Sequence, residues 1–148
     1  MPKTVIGALL LVAGAVFTVL ENGGLSMGNG DSGAGGSGDG LTVESLFAAQ
    51  RSDTWLTVDG RVDRILSDDN EGSRHQRFIM RTASGHTVLV AHNIDLAPRV
   101  AGIREDDPIR VYGEYEWNDR GGVVHWTHHD PDGGIPGGWV EHRGERYR

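Results

Sequence analysis

The stretch from Asn22 to Gly40, dominated by Gly, Ser, Asn and Asp, limits what the rest of the chain can fold into. Such a stretch cannot bury apolar surface and behaves as a flexible linker. It divides the 148-residue chain into two pieces. Ahead of it, Met1-Pro2-Lys3-Thr4 leads into Val5 to Leu20, an uncharged and mostly apolar run of 16 residues. A positive start followed by an apolar run marks a secretory signal. The run is long for a signal core and just short of the roughly 17–25 residues of a spanning helix. Ala13-Gly14-Ala15 fits a small-x-small cleavage pattern, but the apolar run continues through Phe17 and Leu20, which favours an uncleaved anchor. Lys3 precedes the run and Glu21 follows it, so the N-terminus is expected in the cytoplasm and the remainder outside it. Nothing in the linker could cover this run, so it is expected as a separate hydrophobic helix. The organisation read from the sequence is therefore a signal or membrane anchor at 1–21, a Gly-rich linker at 22–40 and a folded domain at 41–148.

The folded part holds 13 arginines against 18 acidic residues, in a chain of net charge −7. Generic nucleic-acid binding needs a basic footprint, and this one is acidic. The chain has no cysteine, which excludes disulfides, a lipidated N-terminal cysteine, thiolate zinc sites and iron–sulfur clusters. A domain of about 100 residues can nonetheless build a core without staples.

Thr42 to Arg51 has helical character, with Thr42 as a cap and Val43, Leu46 and Phe47 at helical spacing. Five strand-like runs follow: Trp55 to Leu66, Gln76 to Thr82, His86 to His92, Ile109 to Trp117 and Val123 to His129. The first is long and carries Gly60 near its middle, where a strand can bend. Asn93 to Gly102, with Pro98, reads as a short helix or loop, and Asn118-Asp119-Arg120-Gly121-Gly122 as a hairpin turn. A last apolar piece, Gly138-Trp139-Val140, lies near the C-terminus. Three strands, a short connection and two more strands is the order expected of an OB-fold. The fold expected is thus mainly β: a small OB-fold-like five-stranded barrel preceded by a short helix, with a small β-sandwich as the competing architecture.

The runs Ser73-Arg74-His75-Gln76-Arg77-Phe78-Ile79, Ala91-His92-Asn93-Ile94-Asp95-Leu96-Ala97-Pro98-Arg99, Gly113-Glu114-Tyr115-Glu116-Trp117-Asn118 and Gly121-Gly122-Val123-Val124-His125-Trp126-Thr127-His128-His129-Asp130-Pro131 resemble a bacterial family catalogued as a domain of unknown function, number 3465. The similarity runs from about Gly60 to Tyr147. It implies a small protein with an N-terminal export segment, and it implies no activity. The resemblance also leads one to expect a histidine within Asp132 to Gly138, and this chain has none there, which weakens any metal site that would need it.

Candidate chemistry rests mainly on histidine. His125-Trp126-Thr127-His128-His129-Asp130 is the densest cluster, and imidazole with carboxylate suits a divalent metal such as zinc. In a continuous strand His125 and His129 would share a face about 13 Å apart, too far for one ion. The metal site to look for therefore joins His128 or His129 with Asp130 at the strand end and a histidine from another segment, His75 or His92. A ligand site on the same surface would draw on His75, His92, Asn93, Asp95, Trp117 and Trp126. The competing reading for each is structural: histidines that stiffen polar turns, Asn93 serving loop backbone, and Asp95 pairing with Arg99 four residues on. Asp68, Asp69, Asn70 and Glu71 read as a solvated acidic turn rather than a calcium loop. Glu114 and Glu116 alternate along one strand, about 6.6 Å apart, a spacing open to acid–base work. Their crowding relieved by Arg110 or Arg120 is the preferred reading. Tyr112, Trp126 and Trp139 offer stacking surfaces if they face outwards.

Three functions fit these residues. The favoured one is an extracytoplasmic ligand- or partner-binding module of the cell envelope, tied to the membrane through its N-terminal segment and periplasmic or secreted if that segment is cleaved. The second is a metal-dependent, nuclease-like hydrolase using the His125 to Asp130 cluster. The third is a structural envelope protein. A barrel of this kind hosts all three, and metal content separates the second from the others. The first is not an enzyme, and that is the reading the residues favour.

Overall fold

The computed structural model describes residues 40–148. The expected signal or anchor at 1–21 and the linker up to residue 39 lie outside the described residues. Among the described residues no helix is long and apolar enough to cross a membrane.

The first element among the described residues is α1 (Val43–Ala48). Thr42 caps it: the Thr42 hydroxyl accepts from the Ser45 N–H, and the Ser45 hydroxyl accepts from the Thr42 N–H. This reciprocal box satisfies two donors that a helix start would leave free. The helix stops after six residues, and Gln50 beyond it takes a left-handed φ of 51°. Val43 and Leu46 enter the core.

Seven strands follow: β1 (Thr54–Ile65), β2 (His75–Arg81), β3 (Thr87–Asn93), β4 (Pro108–Glu116), β5 (Val123–His125), β6 (Trp139–His142) and β7 (Glu145–Tyr147). Their order is β1-β2-β3-β5-β4-β6-β7, and β1 also pairs with β4, so the first five strands close into a barrel. Closure depends on the length of β1. Its residues Thr54 to Arg61 pair with β4, and Arg61 to Ile65 pair with β2, with a register shift between Val62 and Arg64. The bend expected at Gly60 is thus realised just after it, at an irregularity that increases local twist. The expected five-stranded barrel and its preceding helix are present. The region expected as a short helix or loop, Asn93 to Gly102, is loop. Its position is held by buried Gln76, whose amide donates to the Val100 carbonyl and accepts from the Val100 N–H.

Alternation on each strand separates the core from the outer face. Leu56 and Val58, Phe78 and Met80, Val88 and Val90, Val111 and Tyr115, and Val124 and Val140 point inwards and are buried. Burying side chains of this kind is worth about 1.5–3 kcal/mol each before entropy is counted.

The fifth strand departs from the sequence reading. It ends at His125 rather than His129, and the last apolar piece becomes the hairpin β6–β7. The cause lies in β4. One edge of β4 is taken by β1. The other is shared: β5 pairs with Glu114 to Glu116, and β6 pairs with Ile109 to Tyr112. A longer β5 would collide with β6. The chain therefore leaves the sheet at Trp126, which adopts a left-handed φ of 54°. The junction is possible only because Gly113 and Gly138 lack side chains. A Cβ on Gly113 would lie 2.3 Å from the His125 carbonyl oxygen, and one on Gly138 would lie 2.1 Å from that of Trp126.

Gly113→Ala should accordingly lower unfolding stability by at least ~2 kcal/mol, within the range for overpacking. Gly134→Ala, whose Cβ would meet nothing closer than 3.7 Å, should stay near wild type. Urea unfolding midpoints compare the two; equal midpoints would remove the junction as a constraint.

Candidate functional site

The outer face of the barrel carries the polar and aromatic residues. Register sets Trp55 opposite Glu114, and Glu114 opposite His125, so one row crosses β1, β4 and β5. Glu116 lies two residues further along β4 on the same face. His125 Nε2 stands 3.7 Å from Glu114 Oε2 and 3.8 Å from Glu116 Oε1. Both separations are too long for hydrogen bonds. Nε2 is sealed from solvent and has no hydrogen-bond partner, the one such buried side-chain nitrogen or oxygen among the described residues.

The electrostatics of the three groups oppose ion pairing. Burial, with help from His75 and His128, pushes the His125 imidazole down to about 4, so it is neutral at neutral pH. Burial also raises the carboxyl of Glu114, with Asp53 adding to the effect. The carboxyl of Glu116 is raised by burial, by Asp53 and by Glu114. Among the described residues no arginine pairs with either glutamate. Arg110, expected to relieve their crowding, bonds Asp59 at 2.8 Å instead, because it lies on β4 opposite Asp59.

Beside this row a cavity of about 90 Å³ is lined by His75, Asn93, His125, Trp126 and His128. Trp126 is 39% exposed, and its ring lies 5.9 Å from that of His125 and 5.5 Å from that of His128. His75 Nδ1 donates to the Ser73 carbonyl and His128 Nδ1 to the His129 carbonyl. Larger grooves of about 370 and 550 Å³ run along Asp59, Gly60 and Pro108, at the other end of the β1–β4 ladder. They are open, and several of their charges are already used: Arg110 with Asp59, Arg81 with Asp63 and Arg143 with Asp107.

The site expected from His75, His92, His128, His129 and Asp130 does not assemble. His75 and His92 belong to opposite faces of the sheet: His75 pairs with Asn93 on the outside, while His92 lies beside Gln76 in the interior, fully buried. Both His92 ring nitrogens are engaged. Nε2 donates to the Pro98 carbonyl, and Nδ1 accepts from the Thr127 hydroxyl. His129 is exposed on the loop that follows the early end of β5. The Asp130 carboxylate is occupied by the N–H groups of Asp132, Gly134 and Ile135, which also hold its pKa below the ordinary range.

Of the other candidates, Asn93 and Trp126 do line the cavity. Asn93 also serves loop backbone, accepting from the Asp95 N–H. Asp95 pairs with Arg74 at 2.8 Å rather than with Arg99, which bonds Asp68 across the loop. Trp117 tethers α1: its indole N–H donates to the Phe47 carbonyl, and the two rings stack 6.4 Å apart. Tyr112 and Trp139 face outwards as a ladder with Trp55, with centroid spacings of 6.0 and 5.4 Å, and Arg146 covers Trp139. The grouping of Glu114, Glu116 and His125 was not within reach of the sequence: a turn at Asn118 to Gly122 sets Trp117 opposite Val123 and hence His125 opposite Tyr115, whereas the structure pairs Glu116 with Val123 and so Glu114 with His125.

Burial holds the His92 imidazole below its ordinary value of 6.5, as it does His125. A depressed imidazole contributes stability that is present above 6.5 and lost as pH falls towards its folded value. Glu114 and Glu116 act in the opposite sense, because their raised carboxyls contribute stability that is fully present below 4.5 and is lost as pH rises through their folded values, which offsets part of the imidazole effect. Thermal midpoints should therefore drop between pH 6.5 and 5, and His92→Gln should flatten that drop. An unchanged slope in the variant would show that His92 does not set it.

The profile of a family described as a protein of unknown function, DUF3465, matches residues 33–148. No curated protein matches the chain. Among solved structures, the hypothetical protein ygiW from E. coli is similar, with 25% identity over 60% of this chain and 84% of that one, and a TM-score of 0.42.

Proposed function

The chain belongs to the DUF3465 family, and from that footing we propose an extracytoplasmic binding module of the cell envelope, with an OB-fold-like barrel that takes a positively charged ligand on its outer face. One observation carries this reading. Glu114 and Glu116 lie side by side around a neutral His125, with no arginine paired to them among the described residues. Uncompensated, partly desolvated carboxylates attract a cation and repel an anion. Trp126 supplies an exposed aromatic face at the same place, where a cation or its apolar body can stack. The acidic balance of the domain works against nucleic-acid ligands. The hydrolase alternative loses support, since His92 and Asp130 are committed to structural hydrogen bonds.

Export is supported by the apolar run Val5 to Leu20 with Lys3 before it. Fusions after Gly40 test it. Alkaline phosphatase should be active and a cytoplasmic reporter inactive, and the reverse pattern would overturn the location.

For the ligand, backbone amide NMR shifts can be followed while spermidine, a lysine oligopeptide or polyphosphate is added to the protein. The cations should shift resonances of β4, β5 and Trp126. Glu114→Gln combined with Glu116→Gln should abolish this response, and polyphosphate should produce none there. A stronger response to polyphosphate, or cation shifts confined to other surfaces, would overturn the reading.

A further inference from the structure

We infer that the cation taken at this face is a divalent transition-metal ion of the zinc class, held by Glu114, Glu116 and His125. The inference rests on the binding reading above and gives it a chemical identity.

The side chains come from two adjacent strands, whose backbones fix their positions. Glu114 and Glu116 occupy alternate positions on β4, and His125 is the last residue of β5, directly opposite Glu114. One ligand atom from each residue lies within 4.8 Å of the other two. The two distances from Nε2, 3.7 and 3.8 Å, are the informative ones. Bonds of about 2.0–2.2 Å to nitrogen and oxygen place tetrahedral ligand atoms about 3.4 Å apart. Nε2 therefore stands a few tenths of an ångström further from each oxygen than in a closed coordination triangle, and the two oxygens lie within 4.8 Å of each other, so rotations of the two glutamate side chains would close the triangle.

The second line of argument is the state of His125 itself. Polar atoms inside the barrel are satisfied: the Gln76 amide by Val100, both His92 nitrogens by Pro98 and Thr127, and His142 Nε2 by Asp107 at 2.8 Å. Among the described residues His125 Nε2 alone is buried without a partner, and it faces two carboxylates. A protonated Nε2 would be too far from either oxygen to donate. A bare Nε2 would point its lone pair towards negative charge. A metal ion resolves both conditions, because it accepts the lone pair and neutralises the carboxylates together. The ring keeps 33% of its side-chain exposure, so the site can be reached from solvent although Nε2 is covered.

The donor set narrows the ion. One imidazole with two carboxylates suits zinc, manganese, iron or cobalt. Calcium and magnesium favour oxygen-only shells and more ligands than this face provides. Three protein ligands leave a fourth position for water or for a donor from a bound molecule. The cavity lined by His75, Asn93, Trp126 and His128 adjoins His125 and gives that donor a place to lie.

The test uses the full chain purified without an affinity tag and stripped with chelator. Zinc binding is measured by calorimetry, and Co²⁺ serves as a spectroscopic probe of coordination. The expected result is one zinc per chain, a cobalt absorption band indicating nitrogen and oxygen ligands, and little heat from calcium or magnesium at the same concentration. His125→Ala should weaken zinc binding at least tenfold. Glu114→Gln, which keeps the side-chain shape, should do the same and stands in if the histidine variant does not fold by circular dichroism. His129→Ala and Asp130→Ala should bind as wild type. Absence of zinc binding, equal binding by His125→Ala and wild type, or loss of binding in His129→Ala would each overturn the inference. If zinc fails while spermidine still shifts Glu114 and Glu116, only the metal is wrong. If neither binds, the cation-binding reading falls with it.

Discussion

The shared edge of β4 governs the rest of this domain. A strand has two edges, and here three partners compete for them. β1 takes one edge along nearly its whole length, and β5 and β6 divide the other at Gly113. Backbone from three segments converges at that point, which the absence of side chains on Gly113 and Gly138 allows. The division has two consequences. It closes the five-stranded barrel through β5, and it forces the chain out of the sheet at Trp126. The exposed Trp126 ring, the flanking imidazoles and the small cavity beneath them all follow from that forced exit.

The treatment of polar groups differs between the two faces of the sheet. Inside, each buried polar side chain has a structural task. Gln76 clamps Val100, His92 bridges Pro98 and Thr127, and His142 bonds Asp107, which Arg143 also approaches. These contacts hold the loop between β3 and β4 against the barrel. Outside, the arginines are distributed among Asp59, Asp63, Asp68, Asp95 and Glu141, leaving Glu114 and Glu116 aside. Two partly desolvated carboxylates around a neutral imidazole are an unfavourable arrangement that a bound cation would relieve.

Much of the fold was legible in the chain. The cap at Thr42, the strand-like runs behind β2 to β4 and the turn at Asn118 to Gly122 are local signals, and each produced the element expected within one or two residues. Local signals could not show that β5 would be cut short, because the obstacle is β6, fourteen residues beyond it in the chain. The same limit applied to the histidines. Composition marked His125 to Asp130 as dense in donors, but density assumed a continuous strand. Once the strand ended at His125, His129 and Asp130 belonged to a loop with its own hydrogen bonding.

The sequence by itself determined the β-rich character of the domain, the helix start, and the division of β2, β3 and β4 into two faces, because these depend on composition and on a period of two along the chain. Only the tertiary structure decided which polar side chains are consumed and which are left over. His92 and His75 look alike in the sequence, yet one points into the core and is bonded at both nitrogens, and the other lines an outer cavity. Glu114, Glu116 and His125 become one cluster only when the β4–β5 register brings two strands side by side. Pairing across strands is set by closure of the whole barrel, so no local window of residues contains it.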